Sequence, residues 1–249
     1  VNRYSYILRD NCLRDLDRLT NHKKASAVKA LILYSKFLGN ATGFRKKLEE
    51  FGIKIQGPDS LASFLRLFNA SGKDTLQWYK KAVTILRDKE ALFAKFLLHS
   101  GLRTSEAING FNLIIQLGKE GKLSEYYDSE LQVLCHFKYP KLFIRRTKNC
   151  YITFIQPEFL KQIAEYESVT YAMMCKRLAR KHMHLRFNEL RDKFGTHLLS
   201  HGILEAEINL CQGRIPVDIF IRHYWSPKLK ELGSRIFKVL ETIETNSRS

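Results

Sequence analysis

Proline is scarce, with 5 among 249 residues, and the first is Pro58. Little therefore interrupts helix over long stretches. The five cysteines (Cys12, Cys135, Cys150, Cys175, Cys211) form no CxxC pair. Their odd number and scatter exclude a disulfide framework and a zinc knuckle, and fit a reducing compartment. No run of about 18 uncharged apolar residues occurs, so no membrane span is expected. The opening "VNRYSYILRDN" has no signal-peptide apolar region, and its missing Met reads as a processed or truncated chain. The phosphate-loop pattern GxxxxGK[ST] and the zinc pattern HExxH are both missing. Acidic residues are in short supply: 25 Asp plus Glu face 42 Lys plus Arg, a net charge of +17. Such a surface attracts polyanions, nucleic acid first among them. Acidic lipid fits less well, because no single helix sets its charge opposite a strong apolar face.

Apolar residues make up 45% of the chain, enough for a substantial core. The spacing predicts a mainly α protein with one small antiparallel β-sheet. Tyr6, Leu13, Leu16 and Leu19, then Val28, Leu31, Ile32 and Tyr34, recur at helical intervals. "TGFRKKLEEFGI" and "SLASFLRLF" read as shorter helices. The polar "NASGKD" marks a boundary, dividing residues 1–70 from 75–249 through a linker at 71–74. "ELQVLCHF" and "KLFIRRTKNCYITFI" are rich in β-branched and aromatic residues. The second run holds a polar Thr147-Lys148-Asn149 turn and predicts a β-hairpin with Lys148 at its tip. Helix resumes after Pro157 to about Ile243. No internal repeat or low-complexity segment is present.

Four stretches carry candidate chemistry. "SGLRTSEAI" reads as a helix end with Gly101 left-handed and a new helix begun by Thr104 or Ser105, leaving Arg103 to be explained. In "RFNELRDKFGTHLLSHG", Phe187, Leu190, Phe194 and Leu198 form an apolar stripe. Asn188, Arg191 and Gly195 share the adjacent edge, a polar side chain, a guanidinium and a missing side chain that suit close approach of a phosphate. "QGRIPVDIFIRHYWSPKLKELG" places Arg214 after Gly213 and Tyr224 within an aromatic cluster. Taken singly, each has an ordinary reading as a helix cap, a solvated arginine or a buried aromatic corner. His197 and His201, at i and i+4, lack the further ligands a zinc site needs.

In order, Gly101-Leu102-Arg103 with Glu106, Lys148, Asn188-x-x-Arg191 before "FGTHLL", Gly213-Arg214 and Tyr224 resemble the motifs of the tyrosine recombinases. The similarity is strongest to integrases of archaeal viruses and plasmids and covers roughly residues 88 to 240. "SGLRTSE" and "LRDKFGTHLLSHG" parallel the family's "TGLRxSE" and "HxLRHTFATHLLxxG". Two departures stand out. Asn188 occupies the usual histidine position. Gly213-Arg214 replaces Gly-His, one residue further from the tyrosine than in the common bacterial pattern.

The resemblance implies a helical N-terminal core-binding domain and a catalytic domain that breaks and rejoins DNA through a 3′-phosphotyrosine, without metal, ATP or cofactor. Arg103, Arg191 and Arg214 would hold the scissile phosphate, and Tyr224 would be the nucleophile. Lys148 would be the general acid, with Lys141, Arg145 and Arg146 as neighbouring competitors. Asn188 would orient the phosphate or the phenol; an amide cannot act as the general base. The implied partner is double-stranded DNA at attachment sites. The implied assembly is a homotetramer on paired sites and a monomer off DNA, in the cytoplasm of a prokaryotic host. Lys23, Lys24, Arg45, Lys46, Lys47, Lys176, Arg177, Arg180 and Lys181 are candidate phosphate contacts, each also readable as part of a solvated face. A type IB topoisomerase and a catalytically silent DNA-binding module are the alternatives.

Overall fold

In a computed structural model, residues 4–9, 12–53, 60–68, 75–145, 149–214 and 224–248 are described. The chain divides into two compact units, Val1–Gly72 and Lys73–Ser249. The expected linker, 71–74, lies outside the described residues, as does Lys148.

The first unit contains α1 (Tyr6–Arg9), a 3-10 turn (Leu13–Arg18), α2 (Asn21–Phe37), α3 (Ala41–Glu50) and α4 (Ser60–Phe68). The Leu13–Leu16 spacing belongs to the 3-10 turn, where residues three apart eclipse on one face. Both leucines are buried with Ile7, Val28, Leu31, Phe44 and Leu48.

The second unit holds α5 (Thr75–Ile85), α6 (Asp88–Ser100), α7 (Thr104–Lys119), α8 (Leu123–Tyr126), α9 (Pro140–Phe143), α10 (Pro157–Ala164), α11 (Tyr171–Arg180), α12 (Phe187–Ser200), α13 (Glu205–Cys211) and α14 (Leu229–Arg248). Its sheet comprises β1 (Tyr127–Asp128), β2 (Val133–Cys135) and β3 (Ile152–Phe154), antiparallel in the order β1-β2-β3. The register pairs Val133 with Phe154, Leu134 with Thr153 and Cys135 with Ile152. The described protein is therefore mainly helical with one small antiparallel sheet. Among the described residues no helix is long and apolar enough to cross a membrane.

The hairpin drawn within residues 141–155 is corrected. Pro140 opens α9, where its fixed φ suits a first helical turn and its missing N–H costs nothing. Phe143 then buries against Tyr126 and His136. The strand that pairs with β3 is β2, earlier in the chain. Cys150 N–H donates to Phe143 O at 3.0 Å, and Thr147-Lys148 of the expected turn lie outside the described residues.

The predicted stripe of α12 is the keystone of this core: Phe187, Leu190, Phe194 and Leu198 are all buried. Trp78 of α5 meets Phe187 edge-on, as does Tyr171 of α11. Tyr126 OH is hydrogen-bonded to His136 Nδ1 at 2.6 Å, and His136 Nε2 to Thr153 Oγ1 at 2.8 Å. Burial holds this imidazole neutral, its pKa lowered to about 3.

Candidate active site

Acidic residues are few, and three of them do the same job. Glu90, Glu106 and Glu207 are each the third residue of a helix (α6, α7, α13) and are buried. Each accepts a hydrogen bond from the backbone N–H that opens its helix: Arg87 at 3.0 Å, Arg103 at 3.1 Å and Leu204 at 3.1 Å. That is the glutamate half of a capping box. Each also pairs with an arginine: Glu90 with Arg177, Glu106 with Arg103, and Glu207 with Arg235.

This geometry answers the question of Arg103. Gly101 ends α6 at φ +60, a left-handed conformation suited to glycine. Leu102 is fully buried. The new helix α7 begins at Thr104, as read, with Arg103 as the capping residue before it. Its guanidinium donates to Glu106 Oε1 at 2.7 Å and, at 3.4 Å, to the carbonyl of Asn149. Glu106 both caps the helix and aims the arginine.

Arg191, on α12, is 6% exposed. It donates to Gly101 O at 2.6 Å and to Gln212 O at 2.8 Å, so backbone carbonyls rather than a carboxylate hold it. Burial, then repulsion from Arg103 and Arg214, lowers its pKa to about 10, against the attraction of Glu106. The guanidinium remains charged at neutral pH, and the three arginines sense one another. A site with this excess of positive charge is short of an anion.

Gly213 (φ +67) explains how the last arginine comes close. A Cβ there would lie 2.7 Å from Asn149 C and 2.9 Å from Cys150 Cα. Only glycine lets the 212–214 turn press on the Asn149–Cys150 backbone beside Arg103. Gly195 is a correction. Its missing side chain admits Gln212, whose Nε2 would be 3.0 Å from a Cβ, rather than a phosphate. Gln212 in turn donates to Arg191 O at 3.2 Å.

The polar groups face a hollow of about 730 Å³. Arg103, Thr104 and Ser105 contribute from α7, Tyr171 from α11, and Asn188, Arg191 and Asp192 from α12. The amino ends of three helices thus open onto it, and each adds partial positive charge from its unpaired N–H groups. Asn188 Oδ1 accepts from Thr104 Oγ1 at 2.7 Å, leaving its N–H donors to offer. A second hollow of about 290 Å³ shares Asp192 and reaches Arg214.

Tyr224 is 73% exposed. The preceding residues 215–223 lie outside the described set, and so does Lys148. The structure thus brings Arg103, Asn188 and Arg191 onto one hollow; Arg214 is near enough to repel Arg191 but lines the second hollow. Sequence reasoning missed Gln212, Thr104, Ser105 and Tyr171. Burial, reinforced by Cys175, pushes the phenol of Tyr171 up to about 12, which disfavours it as a nucleophile.

The outlying basic residues separate into two groups. Arg177 is corrected: its Nε donates to Glu90 Oε2 at 2.7 Å and Nη2 to Oε1 at 3.4 Å, a two-pronged internal pair. Lys24 is engaged with Asp17 at 2.6 Å. Lys23, Arg45, Lys46, Lys47, Lys176, Arg180 and Lys181 are exposed. Among the described residues no group of three His, Cys, Asp or Glu stands together as a metal site. His197 Nε2–H instead donates to Thr242 Oγ1 at 2.9 Å and Val239 O at 3.2 Å, tying α12 to α14.

Comparison with protein-family models, with curated proteins and with solved structures finds no match for this chain.

Proposed function

We propose that the protein is a site-specific DNA recombinase that breaks and rejoins strands through a 3′-phosphotyrosine, the integrase of a mobile element. The observation that carries the reading is that Arg103 and Arg191, from separate segments, line one hollow fed by three helix amino ends, with Arg214 near enough to repel Arg191. Guanidinium forks match phosphate oxygens in pairs. Charge that develops on the non-bridging oxygens of a five-coordinate phosphorus is stabilised there more than in the ground state.

In the proposed reaction the Tyr224 oxygen attacks phosphorus and its proton passes to solvent water. The bond to the 5′ oxygen breaks, and that oxygen takes a proton from Lys148. The product is a 3′-phosphotyrosyl strand and a free 5′ hydroxyl. Reversal by a different 5′ hydroxyl rejoins the strands, and the covalent link conserves the bond energy, so neither ATP nor a metal enters the balance. Asn188 donates a hydrogen bond and moves no proton. Exposed cations in both units supply further backbone contacts on double-stranded DNA, and a tetramer on paired attachment sites completes the exchange.

Nicked, end-labelled duplexes carrying candidate attachment sites, run on denaturing gels, test this. Wild type forms a covalent adduct and Tyr224→Phe forms none. Arg191→Ala slows adduct formation about a hundredfold to a thousandfold, the usual cost of one lost oxyanion donor. Binding without any adduct supports the silent module, to which the amide at Asn188 lends weight. Relaxation of supercoiled plasmid lacking a cognate site supports a topoisomerase.

A further inference from the structure

The buried carboxylate of Glu106 has more cation around it than it can balance. Its Oε1 lies 2.7 Å from Arg103 Nη1 and 3.7 Å from Arg145 Nη2, while its Oε2 is taken by the Arg103 backbone N–H. One negative charge therefore faces two guanidiniums. Arg103 has the near position, and Arg145 has the far one with its side chain 44% exposed.

Arg145 is nevertheless held in place. Its backbone N–H donates to Asn149 Oδ1 at 2.9 Å, and its Nη2 donates to Ser105 Oγ at 3.2 Å. At 3.7 Å and with Arg145 partly in water, its pair with buried Glu106 is longer than the 2.7 Å pair that Arg103 makes. The arrangement fixes a guanidinium on the rim of the arginine-lined hollow with much of its charge uncompensated. Ser105, in the first turn of α7, accepts from Arg145 and still has its own hydroxyl hydrogen to give.

We propose that Arg145 and Ser105 form a second phosphate site, binding the phosphodiester next to the one held by Arg103, Arg191 and Arg214. The inference rests on the DNA-backbone reading of the first site and names what lies beside it. Burial falls from Arg191 through Arg103 to Arg145, while Arg214 is itself exposed. The inner group suits the phosphate that undergoes chemistry in a dry setting. The outer one suits a neighbour that stays hydrated and sets strand position. Glu106 serves both sites by holding Arg103 hard and Arg145 loosely.

Arg145→Gln and Arg145→Lys separate the possibilities, with thermal melting to confirm that each variant folds. The first readout is the salt dependence of binding to a 20-base-pair duplex of arbitrary sequence. Loss of one phosphate contact lowers the slope of log K against log salt by about 0.9, so the affinity lost between 50 and 200 mM shrinks roughly three- to fourfold. The second readout uses two small probes, inorganic phosphate and 5′-phosphorylated dithymidylate, which carries two adjacent phosphates. Arg145→Gln weakens the dinucleotide and leaves inorganic phosphate unchanged, and Arg145→Lys recovers part of the loss. An unchanged salt slope and unchanged dinucleotide affinity would overturn the proposal. Equal weakening of both probes would also overturn it, by placing Arg145 on the first phosphate. Failure of the recombinase reading registers separately, as the absence of a Tyr224 adduct in wild type.

Discussion

Gly101→Ala perturbs the candidate active site without touching any group that faces the hollow. Two costs add at this position. The left-handed φ of +60 costs an L-residue about 1 kcal/mol. The new methyl would also sit 2.5 Å from Phe194 Cε1 and closer still to Cδ1, so the ring must shift within a packed core. Forcing an extra methyl into such a core costs about 1–3 kcal/mol. The expected destabilisation is therefore roughly 2–4 kcal/mol. Both tryptophans, Trp78 and Trp225, belong to the second unit, so urea unfolding followed by their fluorescence reads that unit selectively. Phe194→Leu in the same background tests the packing part: it relieves the contact and leaves the backbone strain. The double variant should be more stable than additivity predicts by about 1 kcal/mol or more. Because Gly101 O accepts from Arg191, adduct formation should fall further than stability does, on the order of a hundredfold for a displacement near 1 Å. A Gly101→Ala protein within 0.5 kcal/mol of wild type, or strict additivity with Phe194→Leu, would refute the reasoning.

Two further predictions use different parts of the molecule. His136 stays neutral in the fold, with its pKa lowered to about 3, whereas the unfolded chain takes up a proton near 6.5. The unfolded state then binds more protons between those values, so stability is lost as pH falls below about 6.5. The loss between pH 7 and 5 should be about 2 kcal/mol, and His136→Gln should flatten that part of a pH series of urea midpoints. Arg177→Met breaks the two-pronged pair with buried Glu90 and should cost about 2–3 kcal/mol. It should leave the salt slope of DNA binding unchanged, whereas Lys181→Gln should lower it; a lowered slope for Arg177→Met would restore that residue to the binding surface.

What was legible beforehand follows from the range of the interactions concerned. The stripe Phe187, Leu190, Phe194, Leu198 depends on helical period alone and is buried as read. Gly101 and Glu106 are local capping signals, and their geometry was visible within one turn of chain. The β2–β3 pairing was not, because Pro140 and the burial of Phe143 decide it through contacts with Tyr126 and His136. Gly195 was misread for a similar reason: the group that fills its missing side chain, Gln212, comes from the turn after α13. Arg177 looked like part of a basic run until Glu90, 87 residues away in the chain, claimed it. The placement of Arg145 beside Glu106 depends on contacts some 40 residues apart, which no local spacing reveals.

The central claim is that the Tyr224 oxygen attacks a phosphodiester held by the arginine cluster. The most direct measurement is mass spectrometry of the nuclease-trimmed, protease-digested adduct, which identifies the residue bearing the nucleotide. The account predicts a nucleotide on Tyr224, and only there. A nucleotide on Tyr171, which lines the hollow with Arg103 and Arg191, or on any residue of the Tyr224→Phe protein, would contradict it.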